Sequence, residues 1–271
     1  MSKSFTIRGV GFGQRHPLAL IAGPCVIESR KKTIDIAARL VRLAKRLDIP
    51  LVFKASYDKA NRTSITAFRG PGLEKGIDIL TEIRETYKVP ILTDVHSAEE
   101  IRQIGKAVDI LQLPAFLTRQ TDFVVAAGES GCAINVKKAQ FAAPWDVAHV
   151  VKKIESTGNK RILLTERGVS FGYNTLVADM RSLVIMRELG YPVIFDATHS
   201  VQSPGGQGDS SGGDGRFAPY LAKAATAVGV DGLFIETHPE PKKALSDGPN
   251  MVPLSEMAAL WKKVSAIDAL R

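Results

Sequence analysis

Cysteine is scarce, long hydrophobic runs are absent, and no dense basic stripe occurs. Each shortage excludes a class of protein. Cysteine occurs twice in 271 residues, at Cys25 and Cys132. Two distant thiols make no disulfide framework, so a reducing, cytoplasmic setting is expected. No apolar stretch approaches the roughly 18 residues needed to span a bilayer, and no membrane partner is expected. Met1-Ser2-Lys3-Ser4-Phe5 carries a charge but no apolar signal core after it. The formal net charge is +8, yet apart from Arg30-Lys31-Lys32 the basic residues are mostly scattered. Nucleic-acid binders concentrate Lys and Arg, often among aromatics, so nucleic acid is not expected as a partner. A diffuse basic surplus also serves small phosphorylated substrates. No composition shift marks a domain boundary, and residues 1–271 read as one domain.

What is present is a repeating pattern. Short apolar runs occupy residues 18–22, 51–53, 89–92, 110–113, 132–136, 162–164, 193–195 and 232–235. Amphipathic stretches of helical length lie between and after them, near 29–48, 74–87, 97–106, 119–129, 145–157, 178–189, 217–229 and 254–269. Ser29 reads as an N-cap, and Ser97 with Glu100 as a capping box. Ile49-Pro50, Val89-Pro90 and Gly190-Tyr191-Pro192 stop the preceding helices. Strict strand–helix alternation implies a parallel sheet. Eight units in a chain of this length imply an α/β fold of the closed (β/α)8 TIM barrel type. Ahead of them, Phe5-Thr6-Ile7 and Val10-Gly11-Phe12 flank Gly9 and predict a small hairpin within residues 1–16, placed to plug the barrel bottom.

The polar residues that end the runs carry the chemistry. In order they are Cys25, Lys54, Asp94, Gln112, Lys137, Arg167, His199 and Glu236. The C-terminal ends of barrel strands face the active-site mouth, so these eight converge on one pocket. Lys54, Lys137 and Arg167, with Lys59 nearby, form a cationic well that needs an anion. A ligand bearing both phosphate and carboxylate fits, with Arg supplying paired contacts. Cys25, His199, Glu236 and Asp247 form a second set whose thiolate, imidazole and carboxylates suit one divalent transition metal. On residue types alone, His199 as a proton shuttle beside a spectator Cys25 fits equally well. The loop Lys59-Ala60-Asn61-Arg62-Thr63-Ser64 offers charge and hydroxyl donors to a sugar phosphate, although a plain polar surface loop reads the same way. The glycine-rich segment 202–215 lacks the Gly-Lys-Ser/Thr ending of a P-loop and reads as a flexible lid or an idle loop.

Ala22-Gly23-Pro24-Cys25, Phe53-Lys54-Ala55-Ser56, Lys59-Ala60-Asn61-Arg62-Thr63-Ser64, Phe68-Arg69-Gly70-Pro71-Gly72, Leu111-Gln112-Leu113-Pro114-Ala115-Phe116, Asn135-Val136-Lys137-Lys138, Thr165-Glu166-Arg167-Gly168 and Asp196-Ala197-Thr198-His199-Ser200 occur in this order. Together they resemble the 3-deoxy-D-manno-octulosonate 8-phosphate (KDO 8-phosphate) synthases over nearly the whole chain. The related 3-deoxy-D-arabino-heptulosonate 7-phosphate (DAHP) synthases share the barrel and Gly-Pro-Cys but carry a Lys-Pro-Arg-Thr type of sugar loop. Lys59-Ala60-Asn61-Arg62 favours the five-carbon acceptor.

The resemblance implies a transferase that condenses phosphoenolpyruvate, D-arabinose 5-phosphate and water into KDO 8-phosphate and phosphate, a step toward the lipopolysaccharide inner core. It implies that Lys54, Lys137 and Arg167 hold phosphoenolpyruvate, with Lys59, Asp94, Gln112, Pro114 and Ala115 around the substrates. Asn61, Arg62 and Thr63 would hold the sugar phosphate, and Arg119 would reach a neighbouring subunit's sugar phosphate in a homotetramer. Lys54, Asn61, His199 and Asp247 are the expected catalytic residues. Metal-independent members carry Asn where Cys25 stands. Cys25 and Leu245-Ser246-Asp247-Gly248-Pro249-Asn250-Met251 resemble the metal-dependent branch. The resemblance therefore implies Cys25, His199, Glu236 and Asp247 as ligands of Zn²⁺, Fe²⁺, Mn²⁺ or Co²⁺. The alternatives are a DAHP synthase acting on erythrose 4-phosphate and a non-catalytic sugar-phosphate-binding barrel.

Overall fold

The computed structural model describes residues 3–14, 16–105, 107–206 and 211–270. The apolar runs form eight parallel strands: β1 (Ala19–Gly23), β2 (Leu51–Lys54), β3 (Ile91–Asp94), β4 (Ile110–Leu113), β5 (Ala133–Lys137), β6 (Ile162–Glu166), β7 (Val193–Asp196) and β8 (Gly232–His238). Neighbours pair in sequence order. Closure comes from β8 beside β1, with Phe234 opposite Ile21, and β7 beside β8, with Phe195 opposite Leu233. The helices α1 (Arg30–Leu47), α2 (Leu73–Tyr87), α3 (Ala98–Ile104), α4 (Thr121–Glu129), α5 (Val147–Glu155), α6 (Arg181–Glu188), α7 (Ala218–Val228) and α8 (Met257–Asp268) follow the strands in turn. This is the expected (β/α)8 barrel.

Strands buried on both faces need no polar alternation, which is why they read as continuous apolar runs. Side-chain alternation splits them between two cores. Ala19, Ile21, Val52, Leu92, Ile110, Ala133, Leu163, Ile194 and Phe234 point into the barrel. Leu20, Phe53, Ile91, Leu111 and Ile134 point outward against the helices. The inner core is completed by Ile7, Val10 and Phe12 of the N-terminal hairpin, so the hairpin closes the bottom of the barrel as expected. Arg8 and Gly9 both take positive φ, 43° and 87°, the geometry of a two-residue hairpin turn. Phe12 is fully buried, and such burial is worth about 1.5–3 kcal/mol.

Helix ends follow the sequence signals. Ser29 accepts from the Lys32 N–H, and Ser97 from the Glu100 N–H. The capping box is only half made, because the Glu100 carboxylate accepts from the His96 N–H and the Tyr57 hydroxyl. Several strands outrun their apolar segments by one or two residues. Lys54, Asp94, Lys137 and Asp196 still pair in the parallel ladder, opposite Leu92, Gln112, Thr165 and Phe234. This fixes their side chains on rigid elements at the mouth. Two short ladders not legible in the sequence sit above the mouth: Val169–Ser170 with Leu176–Val177, and Gln202–Ser203 with Gly212–Gly213. The second ladder belongs to the glycine-rich segment, of which residues 207–210 lie outside the described part. Among the described residues, no helix is long and apolar enough to cross a membrane.

Candidate active site

A cavity of about 580 Å³ opens at the C-terminal end of the barrel. Lys54, Asp94, Gln112, Lys137, Arg167 and His199 of the sequence ring line it. Cys25 and Glu236 are fully buried next to it and touch its lining residues. The ring therefore converges, although Glu236 lies inside β8 rather than at its end. A second groove of about 680 Å³, between α7 and α8, shares Gly248 and Pro249 with this cavity. The chemistry belongs to the smaller one, because buried charge collects there.

Cations define one side. The Lys54 ammonium donates to the Cys25 carbonyl at 2.8 Å and to Glu236 Oε1 at 2.7 Å. Lys137 pairs with Asp196 and stands 3.3 Å from the centroid of the Phe234 ring. Burial pulls the Lys137 ammonium down to about 8, against the opposing pull of Asp196. Arg167 donates from Nη2 to Gln202 Oε1 at 2.9 Å, while its Nη1 is buried with no partner among the described residues. A buried, charged donor left unpaired is costly, and an anion at this spot removes that cost. Lys59 lines the same wall. Burial disfavours its charge, but Cys25, Asp94, Glu236 and Asp247 together hold its ammonium well above the ordinary lysine range.

The second side collects soft and anionic donors. The nearest ligand atoms of Cys25, Glu236 and Asp247 lie within 4.8 Å of one another. Cys25 Sγ is 2.9 Å from Ser246 Oγ and donates to Asp247 Oδ2 at 3.1 Å. Glu236 Oε2 is buried without a hydrogen-bond partner among the described residues and lies 3.8 Å from His199 Nε2. The other ring nitrogen, His199 Nδ1, is 2.7 Å from Asp196 Oδ2, which turns Nε2 toward Glu236. A carboxylate oxygen orphaned beside a thiol, a second carboxylate and an oriented imidazole is the donor set a divalent transition metal requires, so the residues fit one. Burial, then Glu236, pushes the Cys25 thiol well up, and a metal held there would reverse that balance. Burial pushes the Asp247 carboxyl up, but His199 and then Lys59 hold it below the usual carboxylate range.

The sugar-loop residues Asn61, Arg62 and Thr63 line the outer part of the cavity, as do Pro114 and Ala115. Arg62 is braced on the carbonyls of Phe68 and Leu245, at 2.9 and 3.2 Å. Asp94 accepts from Ser56 and lies 3.2 Å from His96 Nε2. Arg119 lies outside the cavity of its own chain, its carbonyl accepting from Lys153.

Sequence reasoning missed Asp196, Gln202, His96 and Ser246. Asp196 directly follows the seventh apolar run, and that was a usable signal. Gln202 and Ser246 become site residues through distant partners, Arg167 and Cys25, and His96 through the turn that sets it beside Asp94 and Glu100. Asp58, His96 and Glu100 also lie within 4.8 Å of one another. Arg69 on Asp58, the Tyr57 hydroxyl on Glu100 and Asp94 on His96 already occupy them, so they do not read as a second metal site.

Fold and mouth together define a (β/α)8 barrel enzyme built for phosphorylated anions. Residues 3–269 match the DAHP synthetase I family, and the chain belongs to that family. It is 58% identical over 270 residues to a Geobacter metallireducens protein named 2-dehydro-3-deoxyphosphooctonate aldolase, covering 100% of this chain and 99% of the relative. A Granulibacter bethesdensis protein of the same name is 60% identical over 265 residues, 98% of this chain and 94% of that one. The Geobacter sulfurreducens protein of that name is 56% identical over 270 residues, with 100% and 99% covered.

Proposed function

We propose that this chain is a KDO 8-phosphate synthase, joining phosphoenolpyruvate, D-arabinose 5-phosphate and water to give KDO 8-phosphate and inorganic phosphate. The phosphooctonate of the relatives' names is this product, which serves the lipopolysaccharide inner core. The observation that carries the reading is the meeting, at one cavity, of Arg167, whose buried Nη1 has no partner among the described residues, with the similarly unpartnered Glu236 Oε2 beside Cys25, His199 and Asp247.

In this reading Lys54, Lys137 and Arg167 hold the carboxylate and phosphate of phosphoenolpyruvate, with Lys59, Gln112, Pro114 and Ala115 around it. Asn61, Arg62, Thr63 and Asp94 hold the sugar. The C3 carbon of phosphoenolpyruvate forms the new bond to the sugar aldehyde carbon, and the aldehyde oxygen gains a proton. Water adds at C2, and the C2–O bond to the phosphoryl group then breaks to release phosphate. The cations work chiefly by fixing two anionic substrates in reacting geometry. Cys25, His199, Glu236 and Asp247 would hold one Zn²⁺, Fe²⁺, Mn²⁺ or Co²⁺, which when bound supplies orientation of the aldehyde or activation of water. The enzyme acts in the cytoplasm as a homotetramer.

The test is phosphate release from phosphoenolpyruvate with arabinose 5-phosphate, before and after dialysis against a chelator. Release that disappears and returns with Mn²⁺ or Zn²⁺ is expected. Release that survives complete metal removal would sink the metal requirement. Release only with erythrose 4-phosphate would overturn the substrate assignment.

A further inference from the structure

Gln202 stands between the two halves of the site. Its Oε1 accepts from Arg167 Nη2 at 2.9 Å, and its Nε2 donates to Asp247 Oδ1 at 2.8 Å. Asp247 continues the line, since its Oδ2 accepts from Cys25 Sγ at 3.1 Å and Ser246 Oγ at 3.1 Å. An unbroken chain, Arg167–Gln202–Asp247–Cys25, thus runs from the anion well to the metal ligands. Guanidinium only donates and an ionised carboxylate only accepts. A side chain bridging them needs one acceptor and one donor, a fixed distance apart. The terminal amide of glutamine supplies both from one rigid group.

The bridge is held on both sides. The Gln202 backbone pairs with Gly213, and its N–H donates to the His199 carbonyl. Asp247 adopts a left-handed backbone, φ 50°, which a non-glycine residue keeps only when its surroundings over-determine it. Arg167 is buried and its Nη1 has no partner among the described residues, so an anion on Nη1 restricts the same guanidinium that orients Gln202.

We infer that Gln202 is a positioning residue that couples the anion well to the metal ligand Asp247, so that phosphoenolpyruvate and metal bind cooperatively. The inference rests on the metal reading above. Coupling of this kind is reciprocal, each ligand tightening the other by the same factor.

The test titrates Co²⁺ into the chelator-stripped protein and follows the thiolate-to-cobalt charge-transfer band of Cys25, with and without saturating phosphoenolpyruvate, corrected for cobalt bound by free phosphoenolpyruvate. Wild type should bind Co²⁺ at least about fivefold tighter with phosphoenolpyruvate present, the lower end of usual coupling. Gln202→Met, of similar size but without the amide, should keep the band and the melting temperature but lose the coupling. Gln202→Glu keeps the acceptor for Arg167 and sets a carboxylate against Asp247. It should weaken Co²⁺ while leaving phosphoenolpyruvate affinity of the metal-free protein near wild type, a split that general loosening of the loop would not give. Undiminished coupling in Gln202→Met, or none in wild type, overturns the inference. A wild type that shows no thiolate band overturns the metal reading itself, and the inference with it.

Discussion

Lys137 shows how burial sets a working range for a single residue. The groups facing it are Asp196 on β7, Glu236 on β8 and Lys54 on β2, with the Phe234 ring beneath. Burial disfavours the ammonium more than the two carboxylates restore it, and the proton leaves near pH 8 rather than near 10.5. Between these values the folded chain binds fewer protons at this site than the unfolded one. The Lys137 contribution to stability therefore rises with pH across that window, because the cost of its buried charge is lifted. In the proposed role of Lys137, substrate binding has the opposite sign, since an anion well needs the charge. We expect kcat/KM for phosphoenolpyruvate to fall as pH rises through about 8, by up to about tenfold per pH unit, while kcat changes little. Bound phosphoenolpyruvate would keep Lys137 protonated, which separates the two profiles. Steady-state kinetics from pH 6.5 to 9.5 at saturating sugar phosphate would decide it, and a flat kcat/KM would remove Lys137 from the phosphoenolpyruvate contacts.

At the scale of elements, the mouth depends on how closely β1 approaches β2. A Cβ added at Gly23 would lie 1.8 Å from the Lys54 carbonyl oxygen, so the two backbones touch where the ring begins. Overpacking usually costs about 1–3 kcal/mol, and contact with backbone puts this case at or above the upper end. Gly23→Ala should thus lower the urea midpoint by an amount equivalent to about 3 kcal/mol or more and displace Lys54 from Cys25 and Glu236. A midpoint within about 0.5 kcal/mol of wild type would show that the strands can part freely. The same element logic explains what the sequence made legible. Continuous apolar runs and helix stops revealed eight strands and their order, and the polar residues at the ends of those runs revealed Lys54, Asp94, Gln112, Lys137, Arg167 and Glu236. Asp196 ended the seventh run and was legible there, but Gln202, His96 and Ser246 were hidden because their roles arise from loop geometry or from pairing with distant residues, as with Gln202 and Arg167, 35 positions apart. Apolar periodicity carries no information about such contacts.

At the scale of the whole molecule, one side of the mouth is unfinished. Phe116, Phe141, Trp145, Phe171 and Tyr173 are 53%, 61%, 63%, 71% and 97% exposed. They lie on the consecutive loops after β4, β5 and β6, and the Ser170 N–H donates to the Gln140 carbonyl, tying two of those loops together. Clustered exposed aromatics mark association surfaces, and a second copy of the chain is the partner that the proposed homotetramer supplies. Arg119 follows the 3-10 turn Ala115–Leu117 on this side and lies outside its own cavity. Placing Asp at both Phe141 and Trp145 should therefore split the assembly in sedimentation velocity. If Arg119 serves a neighbour's sugar phosphate, the separated chains should also show KM for arabinose 5-phosphate raised about tenfold or more, the loss of one charged hydrogen bond. Affinity for phosphoenolpyruvate should stay within about twofold, because Lys54, Lys137 and Arg167 all come from one chain. An assembly untouched by the two charges would move the interface to another face. A split assembly with unchanged sugar KM would leave Arg119 without a role in the neighbouring site.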